Sequence, residues 1–600
     1  MLVVLVVLLA AGVFAARRAL AARDGYQAVR VDVHALQADR QVKLDPATLS
    51  PDDLARIQAH IATLNGDLRT LDRATALPDP ARSLVSRLPW IGERYDAGRQ
   101  TLAFGLQLGE AGQTLSGVAH EALTAYQQTG LSADQAPATP TWLDVLNAHQ
   151  AQLTEALAQI DQARGLRAGI DTTLLPASIR TQFETVDQLL ARRELEPLVQ
   201  TDLPAVNAAL GGQGPTRYLI LIQNSEEMRP SGGFPGTVAI VTFDHGQLRG
   251  YEFHDIYDLN GAYVASQHTP IPQPWPLSQY APSGELSMLD ATWWPDFPTS
   301  AATVMRMYAS SGWPSISGVI AIDPALVSDL LRLTGPVTVD VDGESRVVSA
   351  DNLLQEIERQ RKLFISGQKP DSKHKEMVAA VGEQIIARLR GADPSTLRQA
   401  VHILSTAATR RDIQAYSADP SVESLLDQRA WTGKLVPDSA DATIAVAYGN
   451  MAFGKSSRLL QTTESLAVEP ASNGTQRVTL RLDLHHSGPP GNSDPFYSGV
   501  QLWWIGLYLP EGSKILSASQ AAAPDPSPPN GGSYLVELQP AASRQLTVTF
   551  EMPAATHLLL RRQAGLTPVN LSVSTPKCTA PAHRLLDRDQ QFDLAAGCAS

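Results

Sequence analysis

The sequence predicts a multidomain α+β protein with four parts: an N-terminal membrane helix, a helical stalk or bundle, a central three-layer α/β domain, and a C-terminal β-sandwich ending in a tail. Three observations predict it. Residues 2–16 form an uncharged apolar run; leucine and isoleucine recur at alternating three- and four-residue spacing in the first third of the chain; and from Thr216 onward short β-branched or aromatic runs appear, first alternating with helical patterns and after about Thr443 almost alone. Six hundred residues exceed what one core can serve, so boundaries are placed at 1–24 (anchor), 25–212 (stalk or bundle), 213–438 (α/β) and 439–600 (sandwich and tail). Hydrophobic content of 44% and charged content of 18% are globular values. A net charge of -13 provides no basic stripe for phosphates, which argues against a nucleic-acid partner.

The apolar run 2–16 reads as the core of a signal anchor that continues helically, although a bilayer crossing wants about 20 residues. Arg17, Arg18 and Arg23 follow it and nothing basic precedes it, which by charge bias alone would keep the body inside. The two cysteines favour the opposite orientation. Cys578 and Cys598 both lie in the tail, and such a pair suits a disulfide fastening a loose end in an oxidising compartment. The expected placement is a single-pass cell-membrane protein with the bulk of the chain extracellular.

The clearest helix is Ser50–Ala76. Ser50 is a good N-cap, Pro51 fits the first helical position, and Asp52 and Asp53 suit the positive end of the helix dipole. Leu54, Ile57, Ile61, Leu64, Leu68 and Leu71 then form a narrow coiled-coil-like seam. Further helices are expected at about Glu93–Gln128, Thr141–Arg164 and Pro176–Arg193, with a Pro/Thr/Ala linker over Ala133–Pro140.

In the α/β region, Tyr218–Ile222 and Val238–Phe243 read as buried strands. Asp244-His245-Gly246 forms a hairpin turn, and a third strand closes on the acidic segment His254–Asp258. Ser317–Ile322, an Asp323-Pro324 helix start and Val337–Val341 give a strand–helix–strand unit. Later, Val478, Leu480, Leu482 and Leu484 alternate with polar residues, as in a half-buried strand of a small antiparallel sandwich.

Polar residues collect at the ends of the first three strands, where α/β sheets keep their ligand sites. Glu226, Glu227, Arg229, Ser231, His254, Asp255 and Asp258 are the ligand-binding candidates, with Arg229 facing an anionic group. Asp255 and Asp258 are the candidate metal pair, and Mg²⁺ is the cation their oxygens suit. Gly232 and Gly233 are read as positive-φ positions rather than a phosphate cradle. Trp275, Trp293, Trp294 and Trp313, with Tyr263 and Tyr280, could stack on sugars, but loop packing accounts for them more simply. No complete catalytic signature is present, so no residue is assigned a catalytic role.

The motifs QNSEEMRPSGGF (Gln223–Phe234), WWPDFPTSA (Trp293–Ala301) and GVIAIDPALVSDLLRLTGPVTV (Gly318–Val339) occur in order. Together they resemble the bacterial family called domain of unknown function 4012. The strand YLILIQ, Arg229 and the acids at 255 and 258 are also similar to the LytR-CpsA-Psr domain, which attaches lipid-linked glycopolymers to the bacterial envelope. These observations lead to the expectation of a membrane-anchored, exported cell-envelope protein. Its body would be a non-catalytic binding or scaffolding module facing cell-wall or surface polysaccharide. The alternative is a transferase-like enzyme acting on polyprenyl-pyrophosphate-linked saccharide, with Arg229 on phosphate and Asp255 or Asp258 holding Mg²⁺. Transfer needs convergent cations, to be drawn from Arg249, Arg306, Arg332 or Arg361.

Overall fold

A computed structural model describes residues 20–31, 33, 50–130, 139–191, 195–341, 343–365, 376–435, 442–471, 474–491, 494–577 and 581–595. The chain divides into two compact units. One is helical and comprises residues 1–215 and 243–249; the larger comprises 216–242 and 250–600. Among the described residues the architecture is mixed α/β with four sheets. The N-terminal membrane helix expected at 1–24 is corrected: among the described residues no helix is long and apolar enough to cross a membrane. Of that segment only residues 20–24 fall among the described ones, and the apolar run 2–16 is itself shorter than the about 20 residues a bilayer crossing wants. Residues 1–19 lie outside the described residues, as do Cys578 and Cys598 and most of the linker 133–140.

In the helical unit, α1 (Pro51–Thr75) begins with a reciprocal cap: Asp53 N donates to Ser50 Oγ at 3.1 Å, and Ser50 N donates to Asp53 Oδ2 at 3.1 Å. Ser50→Ala is expected to remove about 1 kcal/mol from this unit, read as an earlier helical melting step by circular dichroism. Leu54, Leu68 and Leu71 of the predicted seam are buried, and α1 packs along the 39-residue α2 (Ile91–Thr129). The helix expected over Thr141–Arg164 is two helices, Trp142–Ala148 and Gln150–Ala168, parted at His149, whose Nδ1 sits 2.9 Å from Val145 O. Phe104 and Phe183 stack at 5.5 Å in the core formed with Ala97, Ala163 and Ile170.

The larger unit begins with a five-stranded sheet of order β3-β2-β1-β4-β7: β1 (Thr216–Asn224), β2 (Phe234–Asp244), β3 (Gln247–Asp255), β4 (Gly318–Ile322) and β7 (Ile413–Ser417). Strand β4 runs parallel to β1, with Leu219 opposite Val319, and antiparallel to β7. The parallel pair is joined through helices, as parallel neighbours must be. Asp323 caps the helix Pro324–Thr334 through Ala325 N at 2.8 Å, and Gly335 ends it at φ +84°. A separate hairpin, β5 (Val337–Val341) and β6 (Glu344–Val348), packs its valines with the helices Leu353–Ile365 and Glu376–Arg390. Of the aromatic group, Trp293 and Tyr263 fill the core on the sheet with Phe297 and Tyr308, Trp275, Trp294 and Trp313 pack partly buried against it, and Tyr280 is exposed.

Two further sheets, of six and five strands, share one apolar core and form the sandwich. β8 (Ala442–Asn450), β9 (Leu460–Pro470), β10 (Thr475–His486) and β11 (Gln501–Tyr508) contribute to it. The antiparallel expectation needs one amendment: β8 pairs in parallel with the strand His557–Arg561, and β9 with Val569–Ser574. Leu480, Leu482 and Leu484 point into the core as their alternation predicted.

Candidate functional site

The segment between β1 and β2, residues 225–233, leaves the central sheet and enters the sandwich. Met228 joins the sandwich core. Its N–H donates to Ser457 Oγ at 3.2 Å, and its carbonyl accepts from Asn450 N at 3.1 Å. Ser457 N donates to Glu226 O, and Gln414 Nε2 donates to Ser231 O at 2.8 Å. Ser231 Oγ donates to Thr292 O at 2.7 Å. Each such bond is worth on the order of 1 kcal/mol, and a buried polar group left without one costs more. Glycines permit the turn: Gly233 sits at φ +154°, and a Cβ there would lie 2.5 Å from Asn224 O. Gly233→Ala is therefore expected to destabilise the larger unit by about 2 kcal/mol, measured by denaturant unfolding. A shift below a few tenths would contradict the crowding.

Arg229 is 3% exposed, and its Nε donates to Asp290 Oδ1 at 2.8 Å, with the guanidinium over Phe453 and Phe234 at 5.1 and 5.6 Å. Its carboxylate partner is thus an acid the sequence did not mark. Glu226 and Glu227 find cations from the sandwich instead: Arg458 Nη1 lies 2.6 Å from Glu226 Oε1, and Lys455 Nζ lies 2.5 Å from Glu227 Oε1. Burial depresses the Lys455 pKa, with the carboxylate of Glu227 opposing. Lys455 and Arg458 escaped the sequence reading because they sit in a β-rich stretch more than two hundred residues away, with no local pattern linking them to the loop.

The other candidates have local duties. Asp255 Oδ1 accepts from Tyr257 N at 2.9 Å, and Asp258 Oδ2 accepts from Asp255 N at 3.3 Å. The expected metal pair is therefore a capping box at the start of the helix Ile256–Ala265. His254 lies 3.6 Å from Glu252 and edge-on to Trp313 at 4.7 Å. Among the described residues no group of three or more His, Cys, Asp or Glu is arranged to hold a metal ion. Charge does gather about Tyr257, whose hydroxyl pKa is raised by burial and by Glu227, Asp255 and Asp290, against Arg361.

Of the four arginines that could have converged on Arg229, Arg361 alone reaches this segment, with Nη1 3.8 Å from Glu227 Oε1 and the guanidinium 4.9 Å above Phe496. Arg332 pairs with Asp329, Arg249 with Asp244, and Arg306 is exposed on its helix. Beside Arg361 and Lys455 opens a cleft of about 100 Å³, walled by Ile222, Phe234, Val327, Leu353, Ile357 and Val381, with Glu226 and Glu358 at its polar edge.

The fold and this segment define a mixed α/β protein in which the loop leaving the first central strand is shared with a β-sandwich. Residues 213–361 match the family described as "Protein of unknown function (DUF4012)". No curated protein and no solved structure matches the chain.

Proposed function

We propose that this protein is a non-catalytic binding or scaffolding module whose α/β region and sandwich act as one platform. One observation carries this: the charged side chains of the 225–233 loop are held in internal ion pairs, Arg229 to Asp290, Glu226 to Arg458 and Glu227 to Lys455. Groups so engaged serve structure, whereas chemistry on a substrate needs side chains that can meet the reacting atoms. The apolar cleft beside Arg361, with room for a small apolar group, is the binding element. An oxidising extracellular placement is supported by the two cysteines confined to the last 23 residues.

A second reading, transfer of saccharide from a polyprenyl-pyrophosphate carrier in the manner of LytR-CpsA-Psr domains, is favoured by the same cleft. It places apolar walls next to Arg361 and Lys455, as a hydrocarbon chain with an anionic head would require. Incubating the full chain with a polyprenyl-pyrophosphate-linked oligosaccharide and Mg²⁺ separates the two. Saturable binding without release of polyprenyl pyrophosphate is the expected result, and Ile357→Trp should abolish the binding by filling the cleft. Release that depends on Arg361 and Lys455 would replace the first reading by the second.

A further inference from the structure

On the outer face of the six-stranded sheet lies a cleft of about 860 Å³, a volume typical of sites for ligands of several rings. The registers of four adjacent strands set out its floor. In one row Asn570 pairs with Thr463, Thr463 with Asp483 and Asp483 with Gln545; in the next, Gln461 pairs with His485 and His485 with Ser543. Side chains two apart on a strand share a face about 7 Å apart, and neighbouring strands lie about 4.8 Å apart. The result is a grid of hydroxyl, amide, imidazole and carboxylate groups. The floor is stiff, because the intervening Leu480, Leu482, Leu484 and Leu466 are locked in the sandwich core.

Charge and backbone geometry narrow the ligand class. The lining holds one acid, Asp483, and one guanidinium, Arg544. Asp483 already accepts from Arg481 Nε at 3.0 Å and from Gln545 Nε2 at 2.7 Å, so the floor carries no cluster of like charges to draw a polyanion or polycation. Strands β9 and β10 are each paired on both sides, so no free edge is available for an added peptide strand. What remains is a dense array of short-range donors and acceptors: Gln545 and Asn570 amides, Thr463 and Ser543 hydroxyls, and the His485 ring, whose Nδ1 is 3.0 Å from Ser543 Oγ. Such an array is complementary to a ligand that carries closely spaced hydroxyls and no net charge. No lining residue is Phe, Tyr or Trp, so recognition rests mainly on hydrogen bonds.

We propose that this outer face of the sandwich is a binding site for a neutral saccharide chain, laid across β10 and its neighbours. The site is distinct from the Arg361 cleft, and the two stand or fall separately. The test titrates the full chain with uncharged hexasaccharides (cellohexaose, maltohexaose, mannohexaose, chitohexaose) and with hyaluronate as the charged control, by calorimetry and ligand-observed NMR. At least one neutral hexasaccharide should bind saturably while hyaluronate does not. Thr463→Val with Asn570→Leu should weaken that binding tenfold or more at an unchanged thermal midpoint, and Gln545→Leu with Gln461→Leu should repeat the loss. Ile357→Trp should leave it intact. Failure of all four sugars to bind, preference for hyaluronate, or binding indifferent to both pairs of substitutions would overturn the proposal.

Discussion

Asp589→Ala is expected to destabilise the larger unit by about 3 kcal/mol. Asp589 Oδ2 takes Arg561 Nη1 at 2.5 Å and Arg411 Nη2 at 3.2 Å, while Oδ1 accepts from Arg562 N at 2.9 Å. Arg411 follows the helix Pro394–Thr409, at φ +60°, and Arg561 ends a sandwich strand, so one carboxylate fastens the α/β region to the sandwich. Removing it leaves two guanidinium groups inside with their charge uncompensated, which costs roughly 3–5 kcal/mol when the site is fully buried. The lower end applies because the Asp589 side chain keeps 24% of its exposure. Burial pushes this carboxyl up, but Arg411 and Arg561 hold it below its ordinary 3.8. A depressed carboxylate stabilises the fold above its ordinary pKa and loses that contribution as pH falls through the folded value. Guanidinium-induced unfolding at pH 7 checks the prediction, and a change under 1 kcal/mol would remove the carboxylate from its assigned role.

Glu464→Gln should act in the opposite direction, stabilising the protein at neutral pH. Glu464 lies inside the sandwich, where the Tyr448 hydroxyl donates to its Oε1 at 2.9 Å, and burial pushes its carboxyl up to about 7 from 4.5. A carboxyl raised in the fold prefers to be protonated there. Its contribution is therefore greatest below about pH 4.5, declines as pH rises to about 7, and is constant beyond. At about 1.4 kcal/mol per unit, the full decline is about 3 kcal/mol. Glutamine keeps the acceptor for Tyr448 and carries no charge, so the variant should gain about that much at pH 8 and little at pH 4. Thermal midpoints of both proteins between pH 4 and 8 decide it; parallel curves would place the ionisation elsewhere.

Much of this fold could be read locally. The cap at Ser50, the strands about Tyr218 and Val238, the Asp323-Pro324 helix start and the alternation from Val478 to Leu484 each depend on neighbours a few residues away. The charged site was legible only in part. Residues 226, 227 and 229 are where the sequence placed the interesting chemistry, but their partners, Arg458, Lys455 and Asp290, come from remote loops and short 3-10 turns that no periodicity ties to them. At Asp255 and Asp258 the three-residue spacing at a strand-to-helix junction fits a cation pair and a capping box alike, and the structure shows the capping box. The polar rows on β10 were invisible for a different reason. Each strand merely looks solvated on one side, and pairing alone aligns Asn570, Thr463, Asp483 and Gln545.

The passage of Met228 into the sandwich has a practical corollary for anyone dividing the gene. A fragment cut at 213 and 361 would retain the family signature yet leave a methionine that is 2% exposed in the whole protein facing solvent, and it would discard Lys455, Arg458, Asn450 and the closing strand β7. A piece that keeps the partners of the family segment therefore runs through the last sandwich strand, and expression trials of the excised family segment should return aggregate.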